Sequence, residues 1–402
     1  MLANRLDAVP PSPTFAVMAL AGKLKSEGKD IISLAPGEPD FETPDHIKEE
    51  AIRAIKEGQT RYTAVGGTQE LKEAVLEKFQ NENHLTYSPE EVIVGTGAKQ
   101  MLYNAFTATV NPGDEILIPA PYWVSYPDMA TLSGGLPIII ECSQSDGFKL
   151  TPDKLKPRLN ENTRWLILNS PSNPSGAVYS KNELIALAEI LSDYPRVWIM
   201  SDDIYEHLIY SDAENPFSTF AQLGPEYQAR TLTINGVSKA YCMTGWRIGY
   251  AGGPKSLIKA MNIVQSQSTS CPSAIGQAAA LAALKGEDKF IQKNNETYRK
   301  RRDLMVGLLN QIPGFKCDLP EGAFYAFPSC NEIFGKETPE GKVIRSDAEL
   351  ATFLIEHAGV AAVPGSAFGS PGHIRFSYAT DLASIKDGCN RIRKSCQSLK
   401  YH

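Results

Sequence analysis

Between residues 92 and 234, short apolar runs alternate with helical patterns, and that alternation restricts the fold more than any other feature. The runs at 92–94, 115–118, 137–140, 165–168, 197–200 and 231–234 have the length and composition of buried strands. Segments such as 99–109 and 181–191 carry helical periodicity between them. Strands alternating with helices predict an α/β domain with a mostly parallel sheet, whose ligands gather at the carboxyl ends of the strands.

Flanking patterns extend the prediction. A helical pattern runs from 46 to about 58, and a second at 69–83 sets Leu71, Val75, Leu76 and Phe79 on one face. The first 45 residues read as irregular, because Pro10, Pro11, Pro13, Pro36, Pro39 and Pro44 act as breakers. A long polar-faced helix is expected at 287–309, and strands of a smaller α+β unit at 322–328, 359–364 and 373–378. The expected division is a large domain of 46–289 and a small domain built from both chain ends, 1–45 and 290–402. A length of 402 residues suits about two to three domain-sized units.

The formal net charge of -6 gives no reason to expect nucleic acid or an anionic membrane as a partner. No stretch reaches the ~20 apolar residues of a membrane span, and the first residues lack the pattern of a signal peptide. Seven cysteines without a C-x-x-C pair point to reduced thiols rather than disulfides or a zinc site. A cytoplasmic protein without a metal centre is the expectation.

Lys239 stands in NGVSKAYCMTGWRIGY, residues 235–250, among small and apolar neighbours just after a strand-like run. A lysine so placed can have its pKa lowered and act as an amine nucleophile toward an aldehyde, although an isolated lysine is more commonly a solvated charge. The string S-K-A-Y-C-M-T-G-W-R-I-G resembles the cofactor-lysine motif of class I aminotransferases of fold type I. That resemblance implies pyridoxal 5'-phosphate as cofactor, Lys239 as its Schiff-base lysine and Arg247 as a ligand of its phosphate. An arginine fork suits a phosphate bidentately whatever the family. The implied architecture is a large domain with a mostly parallel sheet of the seven-stranded type, flanked by helices, plus the smaller α+β domain.

Other segments match the same family in order, from Ser33 to Thr380. Asp202 follows a strand-like run, where a carboxylate can pair with a protonated pyridine nitrogen or simply cap a helix; the resemblance implies the first, with Tyr205 on the cofactor's phenolic oxygen. Asn173, in NSPSNPSG, corresponds to the asparagine that donates to that oxygen and contacts the substrate carboxylate. In GTGAKQMLYNAF, glycines between a strand and a helix start offer amides to an anion. The resemblance places the phosphate near Gly97, Ala98 and Lys99. A dinucleotide fingerprint would need a glycine where Gln100 stands. Trp123 takes the position of the aromatic plate that stacks on the pyridine ring. Tyr62 matches a tyrosine reaching the neighbouring subunit's phosphate, which implies a homodimer with shared active sites.

For the substrate, Arg375 in HIRFSYATD matches the arginine that binds the α-carboxylate of an amino or 2-oxo acid, and Gly37 in LAPGEPDF should lie over the same group. A buried arginine needs a partner charge in any case. One aspartate aminotransferase subgroup reads the distal carboxylate with a partner-subunit arginine just after the cofactor-arginine region, but no arginine occurs between Arg247 and Arg299. The other subgroup has a lysine at the phosphate-loop helix, here Lys99, which could alternatively only support that loop. The implied reaction is transfer of the amino group of L-aspartate to 2-oxoglutarate, giving oxaloacetate and L-glutamate. In relatives that also accept prephenate a basic residue precedes the P-S-x-T element; Pro10 occupies that place and argues against prephenate. Aspartate/prephenate or aromatic transamination and β-lyase chemistry remain the alternatives on the same fold. A non-enzymatic regulator would carry a basic DNA-binding module ahead of the family region.

Overall fold

The computed structural model describes residues 3–9, 11, 13–214 and 216–401. Its centre is a seven-stranded sheet in the order Val92–Gly95, Gly249–Gly252, Thr231–Gly236, Trp198–Asp202, Thr163–Asn169, Glu115–Ala120, Leu136–Glu141. All neighbours pair in parallel except Gly249–Gly252, which is antiparallel to both of its partners.

Both faces of the sheet are covered, and successive side chains of a strand enter opposite layers. Ile116, Ile118, Trp165, Ile167 and Met200 pack with Met101, Ala105 and Phe106 of the helix Ala98–Thr109. Leu117, Leu166, Leu168 and Ile199 pack on the other side with Leu184, Leu187 and Leu191 of the helix Lys181–Leu191. The six predicted runs are all strands, and the seventh was not legible. Gly249–Gly252 carries two glycines where strands favour branched and aromatic residues, because other chain segments lie against it. A Cβ on Gly249 would sit 2.1 Å from the Ala98 amide nitrogen, and one on Gly252 would sit 2.6 Å from the Tyr87 ring.

The C-terminal part forms a second cluster, with Phe324, Ile374, Phe376, Ile385 and Ile392 at its centre. The helix Lys289–Leu309 leads into it. There Ile374–Ser377 lies between Tyr325–Ala326 and Val363–Pro364, antiparallel to both. Ile32–Ser33 pairs in parallel with Val360–Ala361, and Ser377 N–H donates to Leu34 O at 2.7 Å, so the N-terminal segment rests on this unit.

The expectation of an irregular start fails over Pro13–Ser26, which is a helix. Proline is tolerated at a first helical position because that N–H has no helical partner to lose. The helix is held by Ala21 and Leu24, buried against Phe327, Ala361 and Val363. The helices Lys255–Ser268 and Ala274–Lys285 pack on opposite faces of the sheet at its antiparallel strand, Leu257 and Met261 against Ile93 and Ala251, Ala279 and Ala283 against Val92, Val94 and Tyr250. All seven cysteines are free thiols. Among the described residues no helix is long and apolar enough to cross a membrane.

Candidate active site

Register explains how distant residues meet. Asn169 pairs with Asp202, Asp202 with Ile234, and Gly236 with Gly249, which also pairs with Gly95. The carboxyl ends of the parallel strands are therefore level; Asp202 closes one of them, and the turns that follow carry Asn173, Tyr205 and Lys239. These four line one cavity of about 500 Å³ together with Gly37, Ala98, Lys99, Trp123, Arg247 and Arg375. Gly97, next to the lining residue Ala98, is not itself part of the lining. Tyr62 is 92% exposed and outside the cavity of its own chain.

Lys239 Nζ donates to Gly37 O at 2.6 Å. Burial lowers its pKa to about 8; Glu38 and Asp202 act against that shift, while the charges of Arg375 and Arg247 add to it. Asp202 is buried at the end of its strand. Its Oδ2 accepts from Tyr126 Oη at 2.5 Å, whereas its Oδ1 is buried without a hydrogen-bond partner. Burial raises this carboxyl to about 6, against the hydrogen bonds it receives and the charge of Lys239. Such an acceptor is expensive to leave unmet. It marks the place of a donor that the protein itself does not provide.

Arg375 is buried, and its neighbours are neutral. Nη1 donates to Asn173 Oδ1 at 2.9 Å and Nη2 to Ala35 O at 2.7 Å, while Nε has no partner. The guanidinium carbon lies 4.5 Å from the centroid of the Tyr325 ring and 4.9 Å from that of Phe368. Lys99, which lines the same cavity, has its Nζ 4.7 Å from the centroid of the Trp123 ring. Burial and the nearby Arg247 lower the Lys99 pKa, and Asp128 partly offsets them.

The loop ahead of the helix Ala98–Thr109 is shaped for close approach. Gly97 has φ +86°, and a Cβ there would sit 2.6 Å from Arg247 Nη2. Its amide is already committed to Gly95 O at 2.8 Å. An anion at this helix start would therefore be met by the amides of Ala98 and Lys99 together with Arg247, and the contribution of Gly97 is its conformation. Arg247 itself has φ +59° and donates from Nη1 to Thr244 O at 2.8 Å.

A model of the family described as aminotransferase class I and II matches residues 29–392. This chain is a class I and II aminotransferase. It is 53% identical over 398 residues to an aspartate/prephenate aminotransferase of Cereibacter sphaeroides, covering 99% of both chains. It is 52% identical over 397 residues to an aspartate aminotransferase of Rhizobium meliloti, covering 99% of this chain and 96% of that one. Among solved structures, the aspartate aminotransferase of Rhizobium meliloti superposes with a TM-score of 0.96 at 51% identity, each chain covered fully. That of Thermus thermophilus with maleate superposes at 0.91 and 42% identity, covering 98% of this chain and 99% of the other.

The aminotransferase family implies pyridoxal phosphate, and the donor set here suits it. The unmet Oδ1 of Asp202 would take a protonated ring nitrogen, and the helix start with Arg247 would take a phosphate. Four groups in this aminotransferase escaped the sequence reading. Tyr126 lies three residues beyond Trp123, and Asn169 links the site by donating to Asp202 O at 2.8 Å and accepting from Asn173 N–H at 2.9 Å. Glu38 and Asp128 also line the cavity. All four lay inside or beside motif segments, but only the fold shows which way each faces.

Proposed function

We propose that the protein transfers the amino group of L-aspartate to 2-oxoglutarate, producing oxaloacetate and L-glutamate, with pyridoxal 5'-phosphate held by Lys239. One observation carries this reading: Asp202, Lys239, Arg375 and Lys99 line a single cavity, so one carboxylate has Arg375 to meet and a second has Lys99. Names of relatives at 53% and 52% identity over the full chain support the substrate class.

When bound, pyridoxal phosphate supplies an electron sink that acidifies the Cα–H of an attached amino acid. The protein's residues do the rest. Asp202 holds the ring nitrogen protonated, and Tyr205 and Asn173 bond the phenolic oxygen. Arg247 and the amides of Ala98 and Lys99 anchor the phosphate, while Trp123 covers the ring. Arg375 binds the α-carboxylate, with Asn173 and the backbone of Gly37 beside it, and Lys99 takes the distal carboxylate. Lys239, whose pKa burial lowers to about 8, would serve as the base toward Cα.

A homodimer with shared active sites is part of the proposal, and the 92% exposure of Tyr62 in the single chain supports it. A cytoplasmic location accords with seven free thiols. The division into 46–289 and a unit of 1–45 with 290–402 is supported by an apolar cluster that joins Leu34 to the C-terminal region, with Tyr205, Leu208 and Tyr210 reaching into it from the larger part. A second reading adds prephenate as an acceptor, because the Cereibacter sphaeroides relative carries that substrate in its name. Pro10, which argues against prephenate, lies outside the described residues.

Incubating the protein with pyridoxal phosphate, L-aspartate and 2-oxoglutarate tests the proposal. Oxaloacetate should appear in step with glutamate. Absence of both products, with neutral amino acids turning over instead, would overturn the dicarboxylate reading. Replacing 2-oxoglutarate with prephenate decides the second.

A further inference from the structure

We infer that Tyr325 is a positioning residue for this site, its hydroxyl orienting Tyr205 and its ring holding Arg375. The inference rests on the roles proposed above for Tyr205, Lys239 and Arg375. Tyr325 is buried on the short strand Tyr325–Ala326, where it pairs with Ser377, two residues beyond Arg375. Its Oη lies 2.8 Å from Tyr205 Oη, and the Arg375 guanidinium lies 4.5 Å from its ring centroid. It also approaches Gly37, where a Cβ would sit 3.0 Å from Tyr325 Oη. The carbonyl of that same glycine accepts from Lys239 Nζ. One phenol thus touches the residue proposed for the cofactor's oxygen, the residue proposed for the substrate's carboxylate and the backbone that holds the lysine.

Proton count sets the direction of the Tyr–Tyr bond. A phenol has a single proton to donate. With the Tyr205 proton committed to the cofactor's phenolic oxygen, Tyr325 has to donate to Tyr205. Burial raises both phenols above their ordinary pKa, so both protons are retained at neutral pH. A hydrogen bond received by Tyr205 strengthens the one it gives, as in any hydrogen-bonded chain. That draws negative charge from the phenolic oxygen and weakens its hold on a proton at the neighbouring lysine–cofactor linkage. The ring has a separate task. Together with Phe368, whose ring centroid lies 4.9 Å from the guanidinium carbon, it keeps the planar guanidinium oriented and desolvated for a bidentate carboxylate.

Tyr325→Phe removes the hydroxyl and keeps the ring. In the holoenzyme, the midpoint of the linkage's pH-dependent absorbance should rise by about 0.3 to 0.5 unit, the scale of a lost cooperative contribution. The charged groups facing Lys239, namely Glu38, Arg375, Arg247 and Asp202, are the same in both proteins. The dissociation constant for maleate, a dicarboxylate without an amino group, should stay within about twofold, whereas Tyr325→Leu should weaken it about tenfold by freeing Arg375. In a Tyr205→Phe background, Tyr325→Phe should shift the midpoint no further. An unmoved midpoint in Tyr325→Phe beside a moved one in Tyr205→Phe overturns the inference and leaves the site reading intact. Midpoints unmoved in both variants overturn the two together.

Discussion

Tyr126 Oη donates to Asp202 Oδ2 at 2.5 Å, and the other oxygen of that carboxylate is left buried and unmet. The bond joins the start of the helix Ser125–Leu132 to the end of the strand Trp198–Asp202. It holds the carboxylate in one rotamer with its free oxygen available to a ligand.

The free acid has a pH signature. Its pKa in the folded chain, about 6, lies above the ordinary value of 3.8. Between those values the folded state binds more protons than the unfolded one, so the contribution of Asp202 to stability falls as pH rises from about 4 to 6. Above that window the charged form costs roughly 3 kcal/mol. Cofactor-free Asp202→Asn should therefore resist urea better than cofactor-free wild type at pH 7 and equally at pH 4. With cofactor bound it should lose most transamination while retaining the covalent attachment. Near-wild-type turnover would remove Asp202 from the cofactor's ring.

Lys239→Ala should abolish transamination and keep the fold and some noncovalent cofactor binding. Borohydride reduction of the wild-type holoenzyme, followed by peptide mapping, should place the label on Lys239; a label on another lysine refutes the assignment. With a pKa near 8, attachment of pyridoxal phosphate to the cofactor-free chain should speed up with pH and level off just above 8. An unperturbed lysine would go on accelerating toward about 10.4.

Lys99→Ala separates distal-carboxylate recognition from support of the phosphate loop. A charged hydrogen bond contributes about 1.5–3 kcal/mol, so kcat/KM for aspartate should fall roughly tenfold to a hundredfold. Alanine or phenylalanine should lose little. Equal losses for acidic and neutral substrates would assign Lys99 to the phosphate site.

Gly97→Ala should weaken cofactor binding. The position needs φ +86°, and its Cβ would press on Arg247 Nη2 at 2.6 Å. Backbone strain of about 1–3 kcal/mol, since φ +86° with ψ 159° is a region essentially reserved for glycine, would act together with displacement of the phosphate arginine. Gly113→Ala is the control, since Gly113 also has positive φ, at +95°, with nothing within 4 Å of a Cβ. Equilibrium dialysis should show loss of cofactor affinity in the first variant alone, while both lose thermal stability. Equal affinities would exclude Gly97 from shaping the phosphate site.

Periodicity and motif order were enough to find six of the seven strands and to put Asn173, Asp202 and Lys239 on one rim. The apolar runs are long enough to be buried on both faces, parallel register levels their ends, and polar residues beyond those ends have one side of the sheet to face. Motif resemblance also singled out Arg375, in keeping with the need of a cation inside an apolar strand for a partner. What it could not supply was the partner of each buried polar group. Tyr126 and Asp202 are 76 residues apart, and Tyr205 and Tyr325 are 120 apart. The commitment of the Gly97 amide to Gly95 O and the antiparallel strand Gly249–Gly252 were equally hidden. Side-chain period reports only whether a position is buried. Which donor meets which acceptor is decided by distances of a few ångströms between distant segments, and those are set when the helices and the C-terminal strands pack against the sheet.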